Sequence, residues 1–217
     1  MHNPKKKKKE LSLKQKIGIK IRYGMVLQVI KNRIGRMGIE ILPYYLYREK
    51  VSVVAEMPKI KGNVSDYQFE FLGQADMKTI SESNSGFNEE EYLGFLADGG
   101  ICLGMKLGNQ IAAFMWINIK ERGFKETIIP LKSDEAYLWN MYTMESFRGM
   151  NIAPYLRCKS YEVLKGMGRG KLYSISEYFN SPAVKFKHKL NAKRLRLGLY
   201  IKLFNKYHWD LTLRFYS

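Results

Sequence analysis

The chain has 217 residues, 46% of them hydrophobic, and a formal net charge of +17. This length and composition suit one globular domain with a full core and an appendage. No apolar run approaches the roughly 18 to 20 residues that cross a bilayer. The basic start lacks the apolar region and cleavage site of a secretory signal. Cys102 and Cys158 are too few and too far apart for a disulfide scaffold. We therefore expect a cytoplasmic protein with two reduced thiols.

The positive charge lies at the two ends of the chain. Residues 1 to 50 hold 14 Lys and Arg against 3 Asp and Glu, a charge of +11, and residues 185 to 217 hold 9 against 1, a charge of +8. The middle is nearly neutral, with 14 against 16. Basic ends attract nucleic acid, anionic lipid or an anionic substrate. The middle carries no recognisable nucleic-acid motif, which makes nucleic acid the less favoured partner.

Residues 1 to 57 predict a basic N-terminal extension. Residues 5 to 9 are five lysines, which indicate a solvated tail or an electrostatic contact with an anionic surface. Basic residues from 16 to 36 lie off an apolar line that has the spacing of one helix face. This line consists of Ile19, Tyr23, Val26, Ile30, Ile34 and Met37. Such an amphipathic helix fits peripheral contact with an anionic membrane, packing on the domain, or packing on a partner subunit.

Residues 42 to 54 interleave aromatic and basic side chains, which is typical of a strand, of an amphipathic surface or of stacking on nucleotides. Pro58, Gly62 and Asn63 then mark residues 57 to 65 as a linker. We therefore place the domain boundary here. The extension ends at residue 57, and the main domain spans residues 58 to 217.

From residue 66 onward the pattern alternates strands and helices. A strand at 66 to 74 precedes two helical segments, and residues 101 to 121 form two strands joined at Gly108 and Asn109, which is a hairpin signal. The sequence predicts an α/β fold with a mixed, mostly antiparallel sheet of about seven strands, flanked by helices. The remaining elements are a strand at 136 to 144, a helix at 154 to 166, a strand at 171 to 178, a helix at 182 to 190 and two closing strands.

The most informative motif is the polar turn Arg-Gly-Met-Asn-Ile-Ala at residues 148 to 153, between a strand and a helix. Unpaired amides at a helix start suit a phosphate or pyrophosphate. Together with Asn180 and the Ser-Pro-Ala behind it, this turn resembles the GNAT superfamily of acyl-CoA-dependent N-acyltransferases. Arg148 and Ala153 match that family's Arg/Gln-x-x-Gly-x-Gly/Ala signature. Asn151 replaces a Gly, and Asn tolerates a left-handed backbone.

The resemblance covers roughly residues 66 to 205 and implies acetyl-CoA or another acyl-CoA as cosubstrate, with no metal. In this family the pantetheine arm lies between two parted strands, and the pyrophosphate lies on the turn amides. Asn180 would contact the pantetheine or the acyl region, and Lys187 would bind a phosphate. The implied cofactor-binding residues are Met141, Tyr142, Thr143, Arg148, Gly149, Met150, Asn151, Ile152, Ala153, Asn180 and Lys187.

The implied reaction is attack of an amine on the thioester, with a strand amide such as that of Tyr142 stabilising the oxyanion. Lys187 stands where many family members have a Tyr that protonates the leaving thiolate. His188, next to it, carries an imidazole, a common general acid in enzymes, and is our candidate acid. Glu177, at the end of a predicted strand, is our candidate base. The three histidines and two cysteines have no metal-site spacing.

The resemblance implies an N-acetyltransferase that acts on an amine acceptor. The basic ends favour a nucleotide-linked amino sugar or another anionic small molecule, while peptide N-termini, lysines and small amines stay open. The alternative is a non-catalytic protein that binds acyl-CoA, nucleic acid or membrane on a degenerate GNAT fold. Asn151 and Lys187, which depart from the family's pattern, motivate this alternative. The sequence permits an oligomer without requiring one.

Overall fold

The computed structural model describes residues 38–50, 57–83 and 86–217. The predicted amphipathic helix and the lysine run lie outside these residues. The described chain forms ten β-strands and four α-helices. The strands are β1 (Glu40–Lys50), β2 (Tyr67–Phe71), β3 (Ile101–Leu107), β4 (Gln110–Asn118), β5 (Glu121–Phe124), β6 (Thr127–Pro130), β7 (Glu135–Thr143), β8 (Lys171–Glu177), β9 (Lys193–Leu203) and β10 (Tyr207–Phe215). The helices are α1 (Gln74–Glu82), α2 (Glu89–Ala97), α3 (Ile152–Gly166) and α4 (Ser181–Lys189).

Eight strands form one sheet in the order β10-β9-β1-β8-β7-β4-β3-β2, and β5 and β6 form a separate hairpin. All neighbours in the large sheet are antiparallel except β7 and β8, which are parallel. This confirms the predicted α/β class and the mixed, mostly antiparallel sheet. The hairpin between β3 and β4 turns at Gly108 and Asn109, as predicted.

The large sheet has one strand more than the predicted seven, and the added strand is β1. It lies between β8 and β9 in the sheet, although its residues fall in the segment that the sequence assigns to the N-terminal extension. Tyr44 is 1% exposed and Tyr47 is fully buried, on opposite faces of the strand. A strand with buried aromatics on both faces belongs inside a sheet. Residues 40 to 50 are therefore an integral strand of the sheet.

The sheet lies between two helical layers. On one face α3 packs Leu156 and Leu164 against the sheet. On the opposite face Met77 of α1 and Tyr92 of α2 pack against Trp116 of β4. We call these the α3 face and the α1–α2 face. α4 lies on the α3 face, where Val184 packs near Tyr47, and the β5–β6 hairpin covers part of the other face.

Candidate active site

The two parallel strands β7 and β8 part shortly after they begin. Their pairing runs from Glu135 opposite Lys171 to Tyr137 opposite Tyr173. Beyond that point β7 continues along β4, while β8 continues along β1 to the pair of Tyr44 and Glu177. Each strand keeps its outer partner and the inner edges diverge. The sheet therefore opens into a gap at the C-terminal ends of β7 and β8.

A bulge in β7 lies beside this gap. The register between β4 and β7 shifts between the Phe114–Tyr142 pair and the Trp116–Trp139 pair. Asn140 lies in the shifted stretch with φ +43°, and its Nδ2 donates to the Tyr92 hydroxyl of α2 at 2.9 Å. Bulges bend a strand and re-aim its side chains, often next to active sites. The bulge bends β7 away from β8, and the bond from Asn140 to Tyr92 attaches the bulge to α2.

The gap opens into a cleft of about 1250 Å³. Its walls combine Phe95 of α2 and Glu121 of β5 from one side of the sheet with Ala153 of α3 and Phe186 of α4 from the other. The cleft thus joins the two faces of the sheet between the parted strands. Six of the residues predicted for the site line it: Met141, Thr143, Ala153, Glu177, Asn180 and Lys187.

The turn into α3 has the backbone that was predicted for it. Gly149 has φ +82° and Asn151 has φ +66°, both in the left-handed region. The Asn151 side chain donates to the Lys59 carbonyl at 2.7 Å and accepts from the Lys189 Nζ at 3.0 Å. These bonds hold the turn between the segment before β2 and the end of α4. The first-turn amides of α3 have no partners within the helix and lie next to the cleft residue Ala153.

Arg148 ties the end of β7 to this turn. Its Nε donates to the Thr143 carbonyl at 3.3 Å, and its guanidinium donates to Glu145 at 3.1 Å and to the Tyr142 hydroxyl at 3.3 Å. The Arg148 side chain is about half exposed and therefore still open to a further anion. It stands outside the cleft lining, at the position where the turn meets solvent.

Five of the predicted cofactor-binding side chains also lie outside the cleft lining. Tyr142 packs on Phe114 at a ring distance of 5.8 Å, on the α1–α2 face. Met150 contacts the Tyr67 hydroxyl, and Ile152 is 1% exposed in the core of the α3 face. Gly149 and Asn151 form the turn itself. These side chains therefore build the surroundings of the cleft.

The structure separates the two candidate catalytic residues. Glu177 ends β8 and lines the cleft. His188 is exposed on α4 outside the cleft lining, and its Nε2 lies 2.7 Å from an Arg194 Nη2. Adjacent helix residues point about 100° apart, so only Lys187 of the two faces inward. The cleft contains Glu177 and Lys187, and His188 lies on the outer surface.

Lys187 belongs to a buried ionic cluster at the cleft wall. Its Nζ donates to Glu49 Oε1 at 2.6 Å, and Arg157 donates to the same oxygen at 2.9 Å. The Ser174 hydroxyl also donates to Oε1, and the Tyr161 hydroxyl donates to the other carboxylate oxygen. Glu49 thus joins α3, α4 and β8 through one carboxylate. Lys187 is 4% exposed and Arg157 is 2% exposed, yet both line the cleft.

Burial and the neighbouring charges shift the pKa values of Glu49 and Lys187 in this cluster. Burial raises the pKa of Glu49, but Arg157 and Lys187 outweigh this effect and hold the pKa well below its usual range. For Lys187, burial and the neighbouring charge of Arg157 lower the pKa to about 7, although Glu49 opposes the change. The cleft wall therefore carries a lysine that can exchange its proton near neutral pH.

The sequence analysis missed Glu49, Arg157 and Ser174, because they lie on three elements that are distant in the chain. One signal was present: Ser174 and Ser176 alternate at the buried positions of β8, where apolar residues are the norm. Ser176 Oγ and Arg157 Nε are buried and have no hydrogen-bond partner among the described residues. Both residues line the cleft through other atoms, since these two atoms are themselves buried.

The mouth of the cleft on the α1–α2 face is aromatic, with charged residues around it. Phe95 and Trp139 meet edge to face at 4.8 Å, and Phe87 lies 5.9 Å from Trp139. Lys120 and Lys125 also line this end, with Asp98 and Glu121 beside them. The Lys120 Nζ donates to the Asp98 carbonyl at 2.6 Å, and Lys125 pairs with Glu40 at 2.7 Å.

Within residues 38–50, 57–83 and 86–217, no group of three or more His, Cys, Asp or Glu side chains is placed to hold a metal ion. In the same residues, no helix has both the length and the apolar character needed to cross a bilayer.

No protein-family profile matches this sequence, and no curated protein matches it significantly. Solved structures do match. A GNAT-family acetyltransferase from Colwellia psychrerythraea is 13% identical with a TM-score of 0.56, over 76% of this chain and 57% of that one. A tandem GNAT protein from the clavulanic acid biosynthesis pathway is 10% identical with a TM-score of 0.53, over 82% and 55%. A functionally unknown protein from Staphylococcus epidermidis is 10% identical with a TM-score of 0.56, over 91% and 83%.

The chain spans 55% to 66% of the length of four of the matching structures, including the two GNAT proteins described above. At such low identity the likeness concerns the fold. The chain has the fold of the GNAT-superfamily acetyltransferases.

Proposed function

We propose that this protein transfers an acyl group, most simply acetyl, from an acyl-CoA to an amine acceptor. The observation that carries this proposal is the opening of the sheet after the Tyr137–Tyr173 pair into a cleft that Ala153 lines at the start of α3. An extended thioester can lie in such a gap and reach both faces of the sheet. The cleft is also lined by the polar residues Ser176, Arg157 and Asn180, which supports occupation by a polar ligand.

The cofactor fits the cleft with its phosphates at the turn. The amides of residues 149 to 153 form the anion site at the start of α3, and Arg148 adds a cation beside it. Lys189 brings a second cation, since its Nζ already lies 3.0 Å from the Asn151 side chain. The pantetheine arm then runs along Met141 and Thr143 of β7. Asn180, the N-cap residue of α4, contacts the arm or the acyl group.

The reaction balances as a single acyl transfer. The neutral amine attacks the thioester carbonyl, so that a C–N bond forms and the C–S bond breaks. The amine proton passes to the Glu177 carboxylate, directly or through a water, and CoA leaves as a thiolate that must gain a proton. The amide of Tyr142 is the proposed donor to the oxyanion.

The proposal assigns the proton for the thiolate to Lys187. This residue lines the cleft, carries its protons at Nζ, and has a pKa lowered to about 7 by burial and by Arg157. A group with a pKa near the working pH is an efficient general acid. His188 was the candidate from the sequence, but it lies outside the cleft lining and contacts Arg194.

The acceptor is proposed to enter from the aromatic mouth. Phe95 and Trp139 suit a flat ring, and Lys120 and Lys125 supply positive charge at the same end. A nucleotide-linked amino sugar combines a flat base, anionic phosphates and an amine, so it is the acceptor class to test first. The carboxylates of Asp98 and Glu121 make cationic amines the matched comparison.

The test is calorimetric titration with acetyl-CoA of the wild type, Arg148→Glu and Lys165→Glu. The Arg148 change should raise the Kd about tenfold or more, because a charge-assisted phosphate contact is worth about 1.5–3 kcal/mol. Lys165 is an exposed cation at the other end of α3, about 20 Å from the turn, and its reversal should leave the Kd within twofold.

Binding and turnover together distinguish an acyltransferase from a protein that only binds acyl-CoA. Absence of binding by the folded wild type to any acyl-CoA would overturn the proposal. Binding without turnover on a broad amine panel would favour the second candidate function, an acyl-CoA-binding protein without catalysis. The specific observation behind that candidate is Lys187, which replaces the usual tyrosine and is engaged by Glu49.

A further inference from the structure

One face of the outer sheet is apolar and uncovered in the described part of the chain. Ile41 of β1 pairs with Ile201 of β9, which pairs with Trp209 of β10. In the next row Pro43 pairs with Leu199, which pairs with Leu211. Residues opposite each other in a sheet share a face. Ile41 is 54% exposed, Trp209 45% and Leu211 46%, so three strands present a continuous apolar surface to solvent. We call these six residues the outer apolar face.

The outer apolar face is on the α3 face of the sheet, beyond the reach of α4. On β1, Tyr45 and Tyr47 point to the same side as Ile41 by alternation, and they are covered by Val184 of α4 and by Ala192. The opposite side of the same strands is closed, since Tyr44 and Tyr200 pack under Phe124 of the β5–β6 hairpin. An uncovered apolar patch of this kind marks a contact surface.

The N-terminal segment joins the sheet at this surface. The Gly38 carbonyl accepts from the Asn205 amide at 3.1 Å, in the turn between β9 and β10. A Cβ at Gly38 would lie 3.1 Å from the Phe204 Cα, so the chain passes tightly against that turn. Gly38 is three residues before Ile41. The chain therefore reaches the sheet at the end that carries the Ile41–Ile201–Trp209 row.

We propose that the outer apolar face is the docking surface for residues 19 to 37 of the same chain, whose apolar line has the spacing of one helix face. The line supplies Val26, Ile30 and Ile34 in the half nearest the attachment point, and its basic residues would point to solvent. A helix of 19 residues is about 28 Å long, which exceeds the width of about 10 Å across three strands. The attachment at Gly38 keeps the segment beside the face at a high effective concentration, which favours it over a second copy or a lipid surface.

Cysteine cross-linking in the full-length chain tests the proposal. Val26→Cys, Ile30→Cys and Ile34→Cys are each combined with Leu211→Cys and mildly oxidised at low protein concentration. The matched control is Gln28→Cys with Leu211→Cys, because residue 28 lies on the opposite side of such a helix. Native Cys102 and Cys158 are both 2% exposed and do not compete. At least one apolar-line pair should form an intramolecular disulfide about tenfold faster than the control.

Each other outcome overturns the proposal. Disulfides only between copies would assign the face to a second copy of this chain. Equal rates for the control and the apolar-line pairs would remove the segment from the face. In that case, binding to phosphatidylserine vesicles that is lost on Leu211→Asp would assign the face to anionic lipid instead.

A second measurement needs no cysteine. Trypsin cleavage after Lys31 or Arg33 should accelerate about tenfold in Leu211→Asp, because the docked segment is released. His208→Asp is the matched control, since His208 pairs with Lys202 on the other side of β10. Thermal melts confirm that both variants fold. Unchanged cleavage in folded Leu211→Asp contradicts the proposal.

Discussion

Two buried cations, Arg157 and Lys187, share the single carboxylate of Glu49. This excess of positive charge is the main electrostatic feature of the cleft wall. Lys187 and Arg157 both contact Glu49 Oε1, and none of the three side chains is more than 5% exposed. Burying charges costs several kcal/mol per ion before pairing offsets it, so such a cluster is weak evidence for stability. Its geometric effect is clear, because it fixes α4 to β1 and α3. That attachment also places Asn180, the cap of α4, at the cleft.

The lowered pKa of Lys187 gives a signed prediction for stability. In the unfolded chain a lysine keeps its proton up to about pH 10.4, whereas folded Lys187 loses it above about pH 7. Between these values the unfolded state binds more protons, so the free energy of unfolding rises with pH. The wild type should therefore gain up to about 1.4 kcal/mol per pH unit between pH 7 and 9, relative to Lys187→Met.

Urea denaturation of the wild type, Lys187→Met and Lys185→Met across pH 6 to 9 makes this measurement. Lys185 is exposed on the same helix, so Lys185→Met should keep the wild-type slope. Tyr161 has a pKa raised above its usual range by burial and by Glu49, which keeps it outside the pH window. Identical slopes in all three proteins would show that Lys187 keeps an ordinary pKa.

At the scale of elements, the turn between β7 and α3 shows how far a local pattern reaches. Apart from the β5–β6 hairpin, the order of strands and helices from β2 to β10 followed from periodicity and turn residues, and the structure confirms it. The left-handed Asn151 was also predictable, since few other residues adopt that backbone. The bonds from Asn151 to Lys59 and Lys189 were not, because they join segments about 40 to 90 residues apart.

Replacing Asn151 separates the backbone effect from the side-chain effect. Asn151→Gly and Asn151→Ala both remove the two side-chain bonds, but only Ala strains a backbone with φ +66°. The Ala variant should be less stable than the Gly variant by about 1 kcal/mol, as judged by urea denaturation. The Gly variant should also bind acetyl-CoA more tightly than the Ala variant. Equal stability of the two variants would mean that the turn relaxes to another backbone conformation.

Some elements lacked a readable signal. The β5–β6 hairpin has strands of four residues, with Gly123 in the first and a left-handed Lys125 between them, so no clear alternation marks it. The members of the ionic cluster lie on four elements, β1, α3, β8 and α4, and sequence spacing does not predict contacts between such distant segments. Lys187 could be aligned to a family position, but only the structure shows its partner Glu49. Predictability was therefore high for local order and low for contacts between distant segments.

At the scale of the whole molecule, β1 holds the two halves of the sheet together. It pairs with β8 over seven positions and with β9 over nine, and it contributes Glu49 to the cleft wall. Without β1, the β9–β10 pair loses its connection to the rest of the sheet. The sequence placed this strand in the extension because Pro58, Gly62 and Asn63 punctuate the chain just after it. These residues do lie in a connecting segment, but that segment links β1 and β2, which belong to the same sheet.

Two truncations test this arrangement. Removal of residues 1 to 37 keeps β1, so the protein should unfold cooperatively, with a Tm within about 10 °C of the full chain, and should bind acetyl-CoA with unchanged Kd. Removal of residues 1 to 57 deletes β1 and leaves Arg157 and Lys187 buried without their carboxylate. That loss alone destabilises by about 3–5 kcal/mol, before the two broken strand pairings are counted, which is comparable to the whole stability of many domains. Circular dichroism melts and calorimetry on both proteins give the answer. A cooperative melt with acetyl-CoA binding in the shorter protein would mean that residues 58 to 217 fold without β1, so that the domain begins where the linker ends.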